Sequence, residues 1–417
     1  MTQRRRIIAG AGSTGGAPAP PSAPTGRGPG VKRRAAATEK HTVTHEQLDS
    51  FLSVLHEREG SDLHVKVGSP PRIRVNGSLT PLGDAPVLHV EDLAAMTRAI
   101  MRPDVFARFE DSADADFAYS VPGIGRFRVN AFRQRSSVAM VFRRVSTSAA
   151  TFTDLGLPDV CGRLATEQRG LVLVTGPTGS GKTTTLAAMI DHINRNRDCH
   201  IITIEDPIEV LHTDDRASIN QREIGDDAES FPTAMRAAMR QDPDVILVGE
   251  MRDEETVSAA LSAAETGHLV LSTLHTIDAV ETVNRIVDFF PPHQQQQIRT
   301  TLAGSIKGTI CQRLVPTLDG VGRVPALEVM VANGRIQQCI TDPNLTGEML
   351  EIIADGEYYG MQTFDQSLVK LIEAGRIDLR GAIGAASRPH DLKVMLQQRG
   401  LAGPPRPAAQ PAVASPA

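Results

Sequence analysis

The chain has 417 residues and a net charge of −5, with 41% hydrophobic and 22% charged residues. Such a length implies two or three domains at roughly 150 residues each, and the composition excludes a wholly disordered or collagen-like chain. The four cysteines, Cys161, Cys199, Cys311 and Cys339, form no C-x-x-C pair. Neither a zinc site nor a disulfide framework is signalled, and a reducing, cytoplasmic compartment fits best.

Residues 1–40 are rich in Gly, Ala, Pro, Ser and Arg, with eight Lys and Arg against one acid, Glu39. They read as a disordered basic tail, because they hold too little apolar surface to offset the entropy of ordering. Arg4-Arg5-Arg6 begins like a twin-arginine export signal, but the following apolar run stops at Gly12-Ser13-Thr14 and is too short. Residues 403–417, rich in Pro and Ala, read as a second disordered tail. No stretch approaches the ~18 consecutive apolar residues of a transmembrane helix, so any membrane role is expected through a partner. The acidic body argues against a broad nucleic-acid groove.

Residues 41–148 read as a small α+β domain. Thr44 opens an amphipathic helix with Leu48, Phe51, Leu52 and Leu55 on one face. Short strands follow at Leu63–Val67, Arg72–Val75, Gly125–Asn130 and Ser137–Arg143, with a helix from Val90 to Met101. Asn76-Gly77 is a strong hairpin signal. Residues 149–158, closed by Pro158, form the linker. From 159 to 402 strands and helices alternate. The apolar runs Leu171–Thr175, Ile201–Ile204, Val245–Val248 and Leu269–Ser272 belong to strands covered on both faces, hence to a parallel sheet flanked by helices. The helices between them include Lys182–Asn194, Pro232–Arg240 and Glu254–Glu265. Beyond Pro291 the reading is mostly helical, with amphipathic stretches Gln294–Leu314, Phe364–Ala374 and His390–Gln398.

The strongest chemical signal is Gly176-Pro177-Thr178-Gly179-Ser180-Gly181-Lys182-Thr183, followed by Thr184. It matches G-x-x-x-x-G-K-[ST] between a strand and a helix, the context in which that motif cradles phosphates. Its glycines let backbone N–H groups face a phosphate chain, and the helix start adds positive potential. Lys182 reaches the β- and γ-phosphates of ATP, and the Thr183 hydroxyl ligates Mg²⁺. A Mg-nucleotide also needs a carboxylate at a neighbouring strand end. Glu205 and Glu250 each end an apolar strand, so one is expected to hold the metal shell while the other orients water. Glu250 is the expected metal partner of Thr183. His275, past the next strand, is placed to donate to a γ-phosphate, with His268 as a second candidate. Arg126 and Arg128 share one strand face, and Arg143 lies on the next strand. They are either a solvated face or a cluster that meets an anion, and spacing leaves both open.

Four blocks, GPTGSGKT (176–183), TIEDPIE (203–209), LVGEMRD (247–253) and TGHLVLSTLHT (266–276), resemble in type and order the secretion ATPase superfamily. Ser61-Asp62-Leu63-His64-Val65, Gly125-Arg126-Phe127-Arg128-Val129-Asn130, Arg240-Gln241-Asp242-Pro243-Asp244 and Gly360-Met361-Gln362-Thr363-Phe364-Asp365-Gln366 look most like PilT-type ATPases, the motors that retract type IV pili. The resemblance implies an α/β fold with a RecA-like P-loop ATPase core and a small PAS-like N-terminal domain. It also implies a homo-hexameric ring at the inner face of the cell membrane, coupled to an inner-membrane platform protein of the pilus machinery without direct nucleic-acid contact. By the same resemblance Glu205 is the catalytic glutamate, Glu250 the Walker-B glutamate and His275 a phosphate contact, while Arg126, Arg128 and Arg143 form the arginine set. Pilus-extension and type II secretion motors are the alternative, though their clustered-Cys element is absent. A ring that binds nucleotide without turnover is the non-enzymatic alternative. The chain departs from the retraction pattern after Glu328-Val329-Met330-Val331, where Ala332–Pro343 replaces the A-I-R-x-L-I-R-E segment.

Overall fold

The structure, a computed structural model, describes residues 45–401. Thr44 and the two expected tails lie outside that span.

The chain opens with α1 (His45–Glu57), which buries Leu48, Phe51, Leu52 and Leu55, the four residues that helical spacing places together. Strands β1 (Asp62–Lys66), β2 (Arg72–Val75) and β3 (Ser78–Pro81) follow, then α2 (Val90–Ile100) and α3 (Pro103–Ser112). Strands β4 (Asp114–Val121), β5 (Gly125–Gln134) and β6 (Ser137–Arg144) complete a six-stranded sheet of order β3-β2-β1-β6-β5-β4. Every pairing in it is antiparallel. Leu63, Phe127, Val129 and Phe142 turn to one face and pack with the helices in a single core. Asn76-Gly77 makes the expected two-residue turn, with φ of 48° and 80°. Arg135-Ser136 makes a second one between β5 and β6 with φ of 48° and 62°, although neither residue is a glycine.

Two short helices, α4 (Phe152–Leu155) and α5 (Asp159–Ala165), lead to the second sheet. Its first part runs β7 (Gly170–Thr175), α6 (Lys182–Asn196), β8 (His200–Glu205), β9 (Ser218–Glu223), α7 (Phe231–Ala238) and β10 (Val245–Val248). Helix α8 (Glu254–Glu265), β11 (Leu269–Leu274), α9 (Ala279–Asp288) and α10 (Pro292–Ser305) come next. Strands β12 (Ile306–Pro316) and β13 (Arg323–Val331) close the sheet, in the order β13-β12-β7-β11-β10-β8-β9. The helices α11 (Gly334–Thr341), α12 (Met349–Ala354), α13 (Phe364–Glu373), α14 (Leu379–Ala385) and α15 (Pro389–Gln398) end the described chain. All six residues of β7 and of β11 are buried. Leu171 and Leu173 enter one core, while Val172 and Val174 enter the other with Met189 and Ile193 of α6. This is the two-sided burial expected of parallel strands between helix layers, and the architecture is the mixed α/β class read from the sequence.

One expected element is corrected. Gln294–Leu314 is not one helix: it is α10 up to Ser305 and β12 from Ile306. Ile298, Leu302, Ile306, Ile310 and Leu314 recur every fourth residue, a spacing that serves a helix face and also one face of a strand. Strand pairing decides it. β12 lies parallel to β7 and antiparallel to β13, and Gly308 sits where a methyl would lie 2.6 Å from the Met330 carbonyl. The sheet is therefore mixed at that end. Strands β4 and β9, rich in polar residues, and helix α3 are further elements that the sequence pattern does not announce.

Candidate active site

Strand β7 delivers the loop 176–181 to the start of α6. Gly176 has φ of 140°, and a side chain there would collide with the Gln312 carbonyl. Gly181, at φ 90°, is the residue that caps α6. Lys182 is buried and folds back, its Nζ donating to the carbonyls of Gly176 at 2.8 Å and Pro177 at 3.2 Å. Burial pushes its pKa down, and the nearby Glu250 carboxylate pulls it partly back. Thr178, Gly179, Gly181, Thr183 and Thr184 line an open cavity of about 680 Å³ above the loop. Ser180 faces the other way, with its Oγ buried and without a hydrogen-bond partner among the described residues.

Strands β8 and β10 run side by side with Ile204 opposite Val248, so Glu205 and Glu250 reach the same cavity. Oε1 of Glu205 accepts from Thr203 Oγ1 at 2.6 Å and from Gln221 Nε2 at 3.2 Å. Burial raises the Glu205 pKa, and those two hydrogen bonds offset part of the rise. Glu250 has an arginine and a histidine beside it instead. It pairs with Arg252, and His275 Nε2 lies 3.5 Å from its Oε2. The Glu250 hydrogen bond in turn pushes the Arg252 pKa further up. His275 follows the end of β11 and lines the cavity.

His268 lies elsewhere. It precedes β11, its Nδ1 is 3.0 Å from the Ala263 carbonyl, and a strand of about 20 Å separates it from the phosphate loop. Nor do the three arginines line the cavity. Arg126 donates to Glu223 at 3.2 Å, and Glu223 also accepts from the Ile208 amide at 3.1 Å. Arg143 Nε donates to Asp62 at 2.9 Å. Arg128 is freer, 4.0 Å from Glu209, and lines an adjoining cavity of about 330 Å³ that shares Asp206 and Pro207 with the first. Arg252 and Gln312 complete the site without having been singled out from the sequence. Arg252 is legible within the LVGEMRD block, but Gln312 falls in a stretch whose spacing suggests a helix.

Among the described residues no helix is long and apolar enough to cross a membrane. No group of three or more His, Cys, Asp or Glu there is arranged to hold a metal on its own.

Comparison with known proteins places these features in context. Residues 37–352 match the family described as type II/IV secretion system protein. The chain is 42% identical over 344 residues to the type IV pilus retraction ATPase PilT of Pseudomonas aeruginosa, covering 82% of this chain and 99% of that protein. A crystal structure of the pilus retraction motor PilT with bound ADP shares 45% identity at a TM-score of 0.75, covering 82% of this chain and 99% of that one. The Legionella pneumophila ATPase DotB shares 29% identity at a TM-score of 0.65, over 84% of this chain and 98% of that one. The RecA-like core and its N-terminal domain are thus those of a secretion ATPase, and the chain belongs to the type II/IV secretion system protein family.

Proposed function

We propose that this chain is an ATP-hydrolysing motor that retracts type IV pili. The observation that carries the reading is one cavity walled by the loop lysine, two strand-end carboxylates and a histidine. Similarity to proteins named for pilus retraction supplies the cargo.

The triphosphate lies against the loop amides and the first turn of α6, whose N–H groups have no partners within the helix. Lys182 exchanges its loop carbonyls for phosphate oxygens. Glu205 is the base that orients and deprotonates the attacking water. Burial makes it more basic than an ordinary glutamate, and no cation pairs with it among the described residues. His275 donates to the transferring phosphoryl group, and Arg252 holds Glu250 in place. The donor set also fits Mg²⁺, which favours a few oxygen ligands beside substrate phosphates over a protein cage. The Thr183 hydroxyl and the Glu250 carboxylate would hold it, and it would neutralise phosphate charge. Among the three arginines, Arg128 is the one placed to supply further charge stabilisation.

In this reading six copies form a ring at the cytoplasmic face of the membrane, and hydrolysis drives a platform protein that withdraws pilin subunits. Among the described residues, 334–341 of the divergent segment keep a helix, α11, capped by the Asn333 side chain. Phosphate release should vanish in Lys182→Ala and in Glu205→Ala while both stay folded; turnover surviving in both rejects the site. Deleting the gene should leave cells with excess surface pili. Loss of pili instead would assign the motor to extension.

A further inference from the structure

Gln312 leaves β12 beside the phosphate loop and touches it at both ends. Its side chain is 1% exposed, and its Nε2 donates to the Ser180 carbonyl at 2.7 Å. Its own carbonyl packs where a side chain on Gly176 would be, and Nε2 lies 3.1 Å from where a Cβ on Gly181 would be. Its Oε1 is buried without a partner among the described residues, so the bond to Ser180 is what orients the amide.

In a trans peptide the carbonyl and the following N–H point in opposite directions. Tying the Ser180 carbonyl down onto β12 therefore turns the Gly181 N–H away from β12, on the side where Gly181 lines the cavity. That N–H has no protein acceptor among the described residues. We propose that Gln312 is a positioning residue for the ATP phosphates: a strut from the β12–β13 hairpin that holds the Gly181 amide aimed at the phosphate chain. The inference rests on the nucleotide reading above and adds to it a residue about 130 positions beyond the motif.

Two variants test it. Gln312→Met keeps the shape and loses the donor, while Gln312→Glu sets an acceptor against the Ser180 carbonyl. Binding is measured by calorimetry with ATP and with inorganic tripolyphosphate, which has no base or ribose. Wild-type binding of ATP, measured first, tests the nucleotide reading by itself. Each folded variant should bind both probes about tenfold more weakly or worse, the loss expected from an unpaired buried acceptor. Its KM for ATP should rise by a similar factor while kcat at saturation stays within about threefold. A folded variant that binds tripolyphosphate within twofold of wild type overturns the proposal. So does one whose kcat collapses with KM unchanged. Thermal unfolding establishes which variant is folded, and either suffices.

Discussion

Thr203 and Glu205 stand on the same face of β8, and the threonine hydroxyl donates to the glutamate Oε1 at 2.6 Å. The pair sets opposing influences on one carboxyl group. Burial favours its protonated form, whereas the hydrogen bonds from Thr203 and Gln221 favour the ionised one.

Removing that donor should move the pH dependence of turnover. In Thr203→Val the Glu205 pKa rises further, so the acid limb of the pH–rate profile shifts to higher pH. Glu205→Gln should lower kcat by about 10²–10⁴, the usual contribution of a general base, with ATP affinity retained. An acid limb unmoved in Thr203→Val would show that Glu205 is not the titrating base.

The arginines should separate by kind of damage. Arg128→Ala should lower kcat by about 10³, the lower end for an arginine finger, at an unchanged thermal midpoint. Arg126→Ala instead leaves the buried Glu223 carboxylate with the Ile208 amide alone among the described residues. It should cost roughly 3 kcal/mol of stability, the low end for removing one partner of a buried pair. Denaturant unfolding beside steady-state kinetics distinguishes the two, and the reverse pattern would exchange their roles.

Glu328 should make the fold lose stability as pH rises from about 4.5 to about 7. It is 2% exposed and accepts from the Ala279 amide at 2.9 Å, and burial raises its pKa from 4.5 to about 7. Its folded pKa thus exceeds its unfolded one. The stability from its protonated form is full below pH 4.5 and is lost as pH rises through 7, a change on the order of 3 kcal/mol. Glu328→Gln should remove this dependence and unfold at a higher temperature than wild type at pH 8. Parallel slopes of midpoint against pH in the two proteins would contradict it.

Gly308 tests the mixed end of the sheet. A methyl there would lie 2.6 Å from the Met330 carbonyl and 2.9 Å from Leu164 Cδ2. Gly308→Ala should destabilise by about 1–3 kcal/mol, as overpacking does, measured by denaturant unfolding. A helix at that position, where alanine is favoured over glycine, would give the opposite sign.

Much of this architecture is legible in the chain because its signals are local. The continuous apolar runs mark β7, β8, β10 and β11, and the glycine-rich context of Lys182 marks the phosphate loop. Glu205 and Glu250 stand out as carboxylates at strand ends. What escapes depends on partners distant in sequence. The row from Ile298 to Leu314 satisfies two periodicities, and only the neighbouring β7 and β13 resolve it. The Arg135-Ser136 turn carries no glycine, so the twist of its flanking strands imposes a conformation that its composition does not announce. Spacing leaves Arg126 and Arg143 open between a solvated face and an anion site, and what decides is distant in sequence: Glu223 and Asp62 lie against them from 97 and 81 residues away. His268 misleads for a simpler reason: a strand has two ends, and spacing within a motif does not say which one faces the loop.

The parallel pairing of β12 with β7 has a practical corollary for dissecting this motor. A truncated chain ending at Ser305 would retain all four diagnostic blocks and yet lack the floor on which the phosphate loop rests. The smallest catalytic fragment must therefore run at least through Val331, well past the last of those four blocks.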